Sequence, residues 1–246
     1  MENNVLFVGH RGARQEAPEN TLPGFRYATG IGLSAIEFDV CLTANEELVV
    51  IHDDSVDRTT NGSGRVAELT LLQIQALDAS SVFPDWPESC YVPTLGESLD
   101  AMRDLPELMM EIKADTAARL ERVVPMAAAE IAKRGMTSQV TLSSFDPTAL
   151  DIAKRVCPEV RRAFTGTWDA WYYLERAVEL ECAQAHVDHV MADRGIVSEA
   201  KKRGLQVMCW TTNTRDELVT SLELAPDYIC TDYPTTLRQH YAELIG

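Results

Sequence analysis

Residues 108–156 read LMMEIKADTAARLERVVPMAAAEIAKRGMTSQVTLSSFDPTALDIAKRV, and the alternation inside this stretch decides the fold class. An apolar run of strand length (108–112) is followed by helical spacing over 117–134, closed by Gly135. A second strand-like run follows at 140–144, and a second helix begins after Asp146-Pro147 and reaches about residue 156. Short apolar runs alternating with longer helical segments are the pattern of βα units built on a parallel sheet.

The same rhythm extends in both directions. Downstream, strands are expected near 160–165, 186–191, 206–210 and 228–231, with helical segments around 169–181, 195–203, 215–224 and 235–244. Upstream, 5–9 and 35–41 read as strands. Between them lies a helix over 21–30, with Asn20 or Thr21 as its cap, Pro23 in its first turn, and Gly30 and Gly32 ending it. An extra strand at 48–52 is joined to the second through the turn-rich Thr43-Ala44-Asn45-Glu46. Setting that one aside, eight strands alternate with helices over 246 residues, which predicts an α/β fold of the (β/α)8 TIM-barrel type. The rhythm breaks between about 55 and 93, where Thr59-Thr60-Asn61-Gly62-Ser63-Gly64, one short amphipathic piece (68–77) and Phe83-Pro84-Asp85-Trp86-Pro87 fall. So long a connection is expected to be a lid-like insertion after the second strand, on the catalytic face of a single domain spanning 1–246.

Composition narrows the function. Hydrophobic residues make up 46% and charged residues 24% of the 27.3 kDa chain, the balance of a folded globular protein. The 22 Lys and Arg against 38 Asp and Glu give a formal charge of −16, which argues against nucleic acid or an anionic membrane as partner. The six cysteines form no C-x-x-C pair, so neither a zinc ribbon nor a redox dithiol is signalled. Cys41, Cys209 and Cys230 sit in apolar runs as small hydrophobes, which fits a reducing cytoplasm. The N-terminal residues show no secretion signal, and no uncharged run approaches the roughly 18 residues that cross a bilayer. A soluble protein without stable membrane association is expected, its homo-oligomeric state left open.

In such a barrel the site forms at the C-terminal ends of the strands, and polar residues gather there. They include His10 and Arg11, Glu37 and Asp39, His52 and Asp53, Glu111 and Lys113, Ser143 and Ser144, Trp210, and Thr231 and Asp232. Two apart on a strand, Glu37 and Asp39 share one face, with Ile36, Phe38 and Val40 on the other. Paired carboxylates in a barrel mouth are best relieved by a divalent cation, with Glu111 as a third oxygen ligand. An all-oxygen set suits Mg²⁺ or Ca²⁺. The competing reading is a set of ion pairs, Glu37 to Arg11 and Glu111 to Lys113. On either side of such a metal, His10 and His52 become candidates for an acid/base pair. His186 and His189, three apart on an expected strand, point to opposite faces and read as structural, and His240 as solvated.

These stretches resemble the glycerophosphodiester phosphodiesterase family. The resemblance rests on His10-Arg11-Gly12, Pro18-Glu19-Asn20-Thr21, Glu37-Phe38-Asp39-Val40, His52-Asp53, Arg58-Thr59-Thr60-Asn61-Gly62, Glu111-Ile112-Lys113, Trp210-Thr211-Thr212-Asn213 and Thr231-Asp232-Tyr233-Pro234, in the family's order. It implies a barrel with a small insertion and metal-dependent hydrolysis of a small glycerophosphodiester to sn-glycerol 3-phosphate and an alcohol. The implied roles are Glu37, Asp39 and Glu111 on the divalent ion, and His10 and His52 as the acid/base pair, with their division of labour open. Arg11 would meet phosphate, Lys113 a phosphate or glycerol oxygen, and Trp210 the glycerol carbons. A related barrel enzyme acting on lysophospholipid or phospholipid head groups is one alternative, and a phosphodiester-binding barrel without catalysis another. One departure is visible. Where the family has an Asp-Gly turn, this chain has Ala44-Asn45-Glu46-Glu47, with Asn45 expected to take the left-handed turn conformation.

Overall fold

The computed structural model describes residues 5–246. The expectation that residues 1–4 carry no leader falls outside the described residues. The strands are β1 (Leu6–His10), β2 (Ala35–Leu42), β3 (Leu48–Val50), β4 (Glu107–Ile112), β5 (Val140–Ser144), β6 (Arg161–Gly166), β7 (Gln184–Asp188), β8 (Gln206–Trp210) and β9 (Tyr228–Thr231). The helices are α1 (Leu22–Gly30), α2 (Leu71–Gln75), α3 (Leu95–Ala101), α4 (Ala117–Arg134), α5 (Pro147–Val156), α6 (Trp171–Glu179), α7 (Arg194–Lys202), α8 (Arg215–Leu222) and α9 (Pro234–Ile245). Parallel pairing runs β1-β2-β4-β5-β6-β7-β8-β9 and closes from β9 back to β1, which makes the expected (β/α)8 barrel. The extra strand β3 pairs antiparallel with β2 outside that ring.

The alternation of side chains along β2 sorts the barrel. Ile36, Phe38 and Val40 face the helices, where the ring of Phe38 meets that of Phe25 on α1 at 6.0 Å, and Glu37 and Asp39 are left for the interior. Caps set the helix ends as the chain suggests. Thr21 Oγ1 accepts from Gly24 N, Asp146 Oδ1 accepts from Thr148 N, and Gly135 closes α4 at φ 68°.

Three elements differ from the sequence reading. β7 begins and ends earlier than 186–191, because Asp188 Oδ1 accepts from Val190 N (2.9 Å) and Met191 N (3.2 Å), a side-chain turn that ends the strand. α3 was not anticipated, although Thr94 and Glu97 form a capping box whose T-x-x-E spacing stands in the sequence. In the hairpin after β2 the left-handed residue is Glu46 (φ 64°), not Asn45. Asn45 Oδ1 instead accepts from Leu71 N (2.9 Å), tying the hairpin to the start of α2.

Residues 51–94, between β3 and α3, carry a small apolar cluster of their own, including Val56, Val66, Ile74, Ala79 and Val92. Trp86 rests edge-on against Tyr27 of α1, with ring centroids 6.3 Å apart.

Glu46 bears a left-handed conformation that costs a side-chain-bearing residue about 1–2 kcal/mol. Its ion pair with Arg122 is exposed and worth little. Glu46→Gly is therefore expected to stabilise the protein by up to about 1 kcal/mol, a rise of roughly 2–4 °C in a thermal melt. An unchanged or lower midpoint would refute it.

Candidate active site

The site is built on the register of the first strands. His10 lies level with Glu37 and Asp39 level with Glu111, so neighbouring strands deliver all four to the same end of the barrel. One oxygen from each of Glu37, Asp39 and Glu111 lies within 4.8 Å of the others. The turn after β1 requires glycine, since a Cβ on Gly9 would stand 1.8 Å from the carbonyl oxygen of Gly12. That turn puts Arg11 at φ 51° and lets its amide donate to Glu37 Oε2 (3.1 Å).

A cavity of about 180 Å³ opens here, bounded by His10, Arg11, Glu37, His52, Glu111 and Trp210, with Thr165, His186, Met208 and Cys230 also on its wall. Lys113 Nζ donates to Glu111 Oε1 (2.5 Å) and lies 3.4 Å from Asp39 Oδ1. Asn20 Nδ2 donates to Asp39 Oδ2 (2.9 Å). Trp210 is half-buried, edge-on to Phe145 at 5.5 Å. The sequence-predicted residues thus come together at one end of the barrel; of the two ion pairs expected, Lys113 to Glu111 is present, whereas the Arg11 guanidinium pairs with Glu19 and Asp39 and only its amide meets Glu37.

The charges are not balanced within that set. Burial, reinforced by Asp39 and Glu111, lifts Glu37 well above the ordinary carboxylate range. Burial and Asp39 push Glu111 up to about 7 despite its contact with Lys113. Asp39 is as deeply buried, but Lys113, Arg11 and His52 outweigh the burial and hold it below its usual value. His52 is held low by burial, with Lys113 and Arg11 adding to the effect and Asp39 opposing it. Three buried oxygen donors short of positive charge fit a hard divalent ion.

Several polar residues carry no role in the sequence reading. Asp232 meets His10 Nδ1 at 2.5 Å and accepts from Asn213 Nδ2 at 2.9 Å. Asp53 meets His52 Nδ1 at 2.6 Å. Glu19 accepts from both Arg11 and Arg58. All but Arg14, which lies 3.3 Å from Glu19, fall inside the quoted stretches, so the signal was present but their partners are up to 222 residues away.

His186 and His189 also differ from expectation. β7 ends at Asp188, so His189 is off the strand, its Nδ1 3.1 Å from the Trp210 carbonyl oxygen. His186 is fully buried, lines the cavity and contacts Gln184 Oε1 at 2.9 Å. Exposed apolar side chains, not evident in the sequence, follow β5 to β7 at the same end of the barrel: Phe145, Trp171, Tyr172, Val190 and Met191.

Residues 10–236 match the glycerophosphoryl diester phosphodiesterase family. The chain belongs to that family. A glycerophosphodiester phosphodiesterase of Caldanaerobacter subterraneus subsp. tengcongensis is 32% identical over 239 residues, covering 95% of this chain and 96% of that protein. Among solved structures, an Oleispira antarctica phosphodiesterase in complex with the product sn-glycerol-3-phosphate superposes with a TM-score of 0.89 at 27% identity, covering 96% of both chains. A glycerophosphodiester phosphodiesterase from Agrobacterium tumefaciens str. C58 gives a TM-score of 0.78 at 30% identity, covering 94% of this chain and 97% of that one. The chain is thus a phosphodiesterase of the glycerophosphoryl diester class, and among its described residues no helix is long and apolar enough to cross a membrane.

The burial of His186 in this phosphodiesterase has a consequence for stability. Burial lowers His186 to about 3 from 6.5, so the neutral imidazole is favoured in the fold and the unfolded chain takes up the proton first. Its contribution is fully present above pH 6.5 and is lost as pH falls toward 3. Between those limits stability should fall by at most about 1.4 kcal/mol per pH unit on this account. His186→Asn should flatten the acid limb of urea midpoints relative to the parent, and parallel limbs would contradict the assignment.

Proposed function

We propose that this phosphodiesterase hydrolyses soluble glycerophosphodiesters to sn-glycerol 3-phosphate and an alcohol, with His10 and His52 as the acid/base pair. The observation that carries the reading is the convergence of both imidazoles, Arg11, Glu37 and Glu111 on one cavity, with Asp39 clustered behind them. The product-bound Oleispira relative supports the substrate class.

Glu37, Asp39 and Glu111 would hold one divalent cation, Mg²⁺ or Ca²⁺. When bound, that ion draws charge from the phosphoryl oxygens, which is where it builds up in the transition state. The guanidinium of Arg11 stands at the cavity wall for the phosphate, and Lys113, held beside Glu111, is assigned to a phosphate or glycerol oxygen. Trp210 offers an apolar face to the glycerol carbons. One imidazole takes the proton of the attacking water, or of a glycerol hydroxyl whose cyclic phosphate water then opens, while the other gives one to the departing alcohol, so neither free hydroxide nor free alkoxide forms. Each imidazole is oriented through Nδ1, by Asp232 and Asp53 respectively, which leaves Nε2 of each for the reacting groups. The unpaired thiols support residence in a reducing compartment such as the cytoplasm.

The exposed apolar arc from Phe145 to Met191 favours a second reading, in which the glycerol carries an acyl chain, as in a lysophospholipid.

A panel of glycerophosphodiesters and one lysophospholipid tests both, with glycerol 3-phosphate release read for the diesters and release of the head-group alcohol read for the lysophospholipid. The expected result is turnover of the soluble diesters and a fall on the order of 10²–10⁴-fold for His10→Ala or His52→Ala. Variants that keep parental rates would remove the histidines from the mechanism. Chelation should abolish turnover and added Mg²⁺ or Ca²⁺ restore it, and full activity of stripped enzyme would overturn the metal assignment.

A further inference from the structure

The two histidines are joined by a chain of alternating charges around the mouth. Asp232, bonded to His10, has an oxygen 3.7 Å from Arg14 Nη1, and Arg14 Nε lies 3.3 Å from Glu19. Glu19 accepts from Arg58 Nη1 and Nη2, both at 2.8 Å, and from Arg11 Nη1 at 2.9 Å. Arg58 Nε and Nη2 also donate to Asp53, at 2.7 and 3.1 Å, and Asp53 holds His52. Arg58 therefore makes four hydrogen bonds to two carboxylates. It comes from the 51–94 segment, whereas Glu19 and Arg11 belong to the turn between β1 and α1. A planar guanidinium can bridge two carboxylates in this way, and an ammonium cannot.

We infer that Arg58 is a positioning residue that fixes the guanidinium of Arg11 and the imidazole of His52 relative to each other by bridging Glu19 and Asp53. This rests on the roles proposed above for Arg11 and His52. Without the bridge, Asp53 keeps no other side-chain donor besides His52 among the described residues, and Glu19 keeps Arg11 and Arg14 but loses its link across the mouth. Displacements of about 1 Å in such a constellation cost on the order of 10²-fold in rate.

The test uses Arg58→Lys and Arg58→Gln in the full chain, with two readouts. In steady-state kinetics both variants should lose on the order of 10²-fold in kcat with a smaller change in KM. The melting temperature should hold, because the Arg58 side chain is 41% exposed. In imidazole NMR the Nδ1 proton of His52, held by Asp53, should lose its downfield, slowly exchanging signal in Arg58→Gln, while that of His10 persists. Parental kcat in Arg58→Lys would overturn the bridge. So would a His52 signal that survives Arg58→Gln, and this reading stands even if the parent fails to turn over any diester, a result that would count against the functional proposal alone. Loss of both imidazole signals with a lowered melting temperature in both variants would make Arg58 a fold residue and overturn the inference.

Discussion

Three carboxylates brought within 4.8 Å of one another inside a barrel mouth are the constraint on which the rest of the site depends. At such separations each like-charged pair repels by about 3–4 kcal/mol in a medium of intermediate dielectric. Nothing local would choose that arrangement. Glu37 and Asp39 are two residues apart on β2, and Asp39 and Glu111 are level across a parallel ladder, so the backbone hydrogen bonds of the barrel hold them together. The repulsion is met by placing Arg11, Lys113 and Asn20 against the same oxygens, and what remains uncompensated appears as the raised values of Glu37 and Glu111. A site that keeps this residual deficit of positive charge is suited to take up a cation, where a site of closed ion pairs would not be.

The barrel order divides the mouth in two. β9 and β1 to β4 bring the charged groups, and β5 to β8 bring Phe145, Trp171, Tyr172, Val190, Met191 and Trp210. A glycerophosphodiester is itself divided between a charged phosphate and carbon-bound ends, so each half of the mouth has a matching half of the molecule. The polar half is also the better constrained. Its side chains are tied to one another by ion pairs, whereas several of the apolar side chains after β5 to β7 stand in solvent.

Most of the fold was legible because it is local. A βα unit announces itself through apolar runs, capping residues and glycines a few positions apart, and Asp146, Thr21 and Gly135 act in the barrel as they read in the chain. The misses also have local causes. Val190 and Met191 extend the apolar pattern of β7, but a single hydrogen-bonding Asp188 ends the strand before them. The turn after β2 depended on which of two adjacent residues takes a left-handed φ, and the bond from Leu71 to Asn45, 26 residues apart, decided it. The residues expected to hold metal or act on protons were legible for the same local reason, lying at strand ends in periodic register. The residues that orient them were not. Asp232 reaches His10 across 222 residues through closure of the barrel, and Arg58 reaches Glu19 across 39 from another segment, while Glu19 meets Arg11 within one irregular turn that has no periodic pattern to read.

That closure also answers how a chain with a formal charge of −16 can take an anionic substrate. Net charge acts through a field screened beyond about 8 Å at physiological salt, so it governs encounters between whole molecules more than events inside a cavity. Within the mouth, Arg11, Arg14, Arg58 and Lys113 converge from three separate segments of the chain. Each is held by a carboxylate, so they form an ordered lattice of alternating sign. In such a lattice the position of a cation matters more than the total, because a phosphate oxygen responds to the nearest guanidinium. The acidic excess of the whole chain is then compatible with individual guanidinium groups placed where a phosphate oxygen would lie.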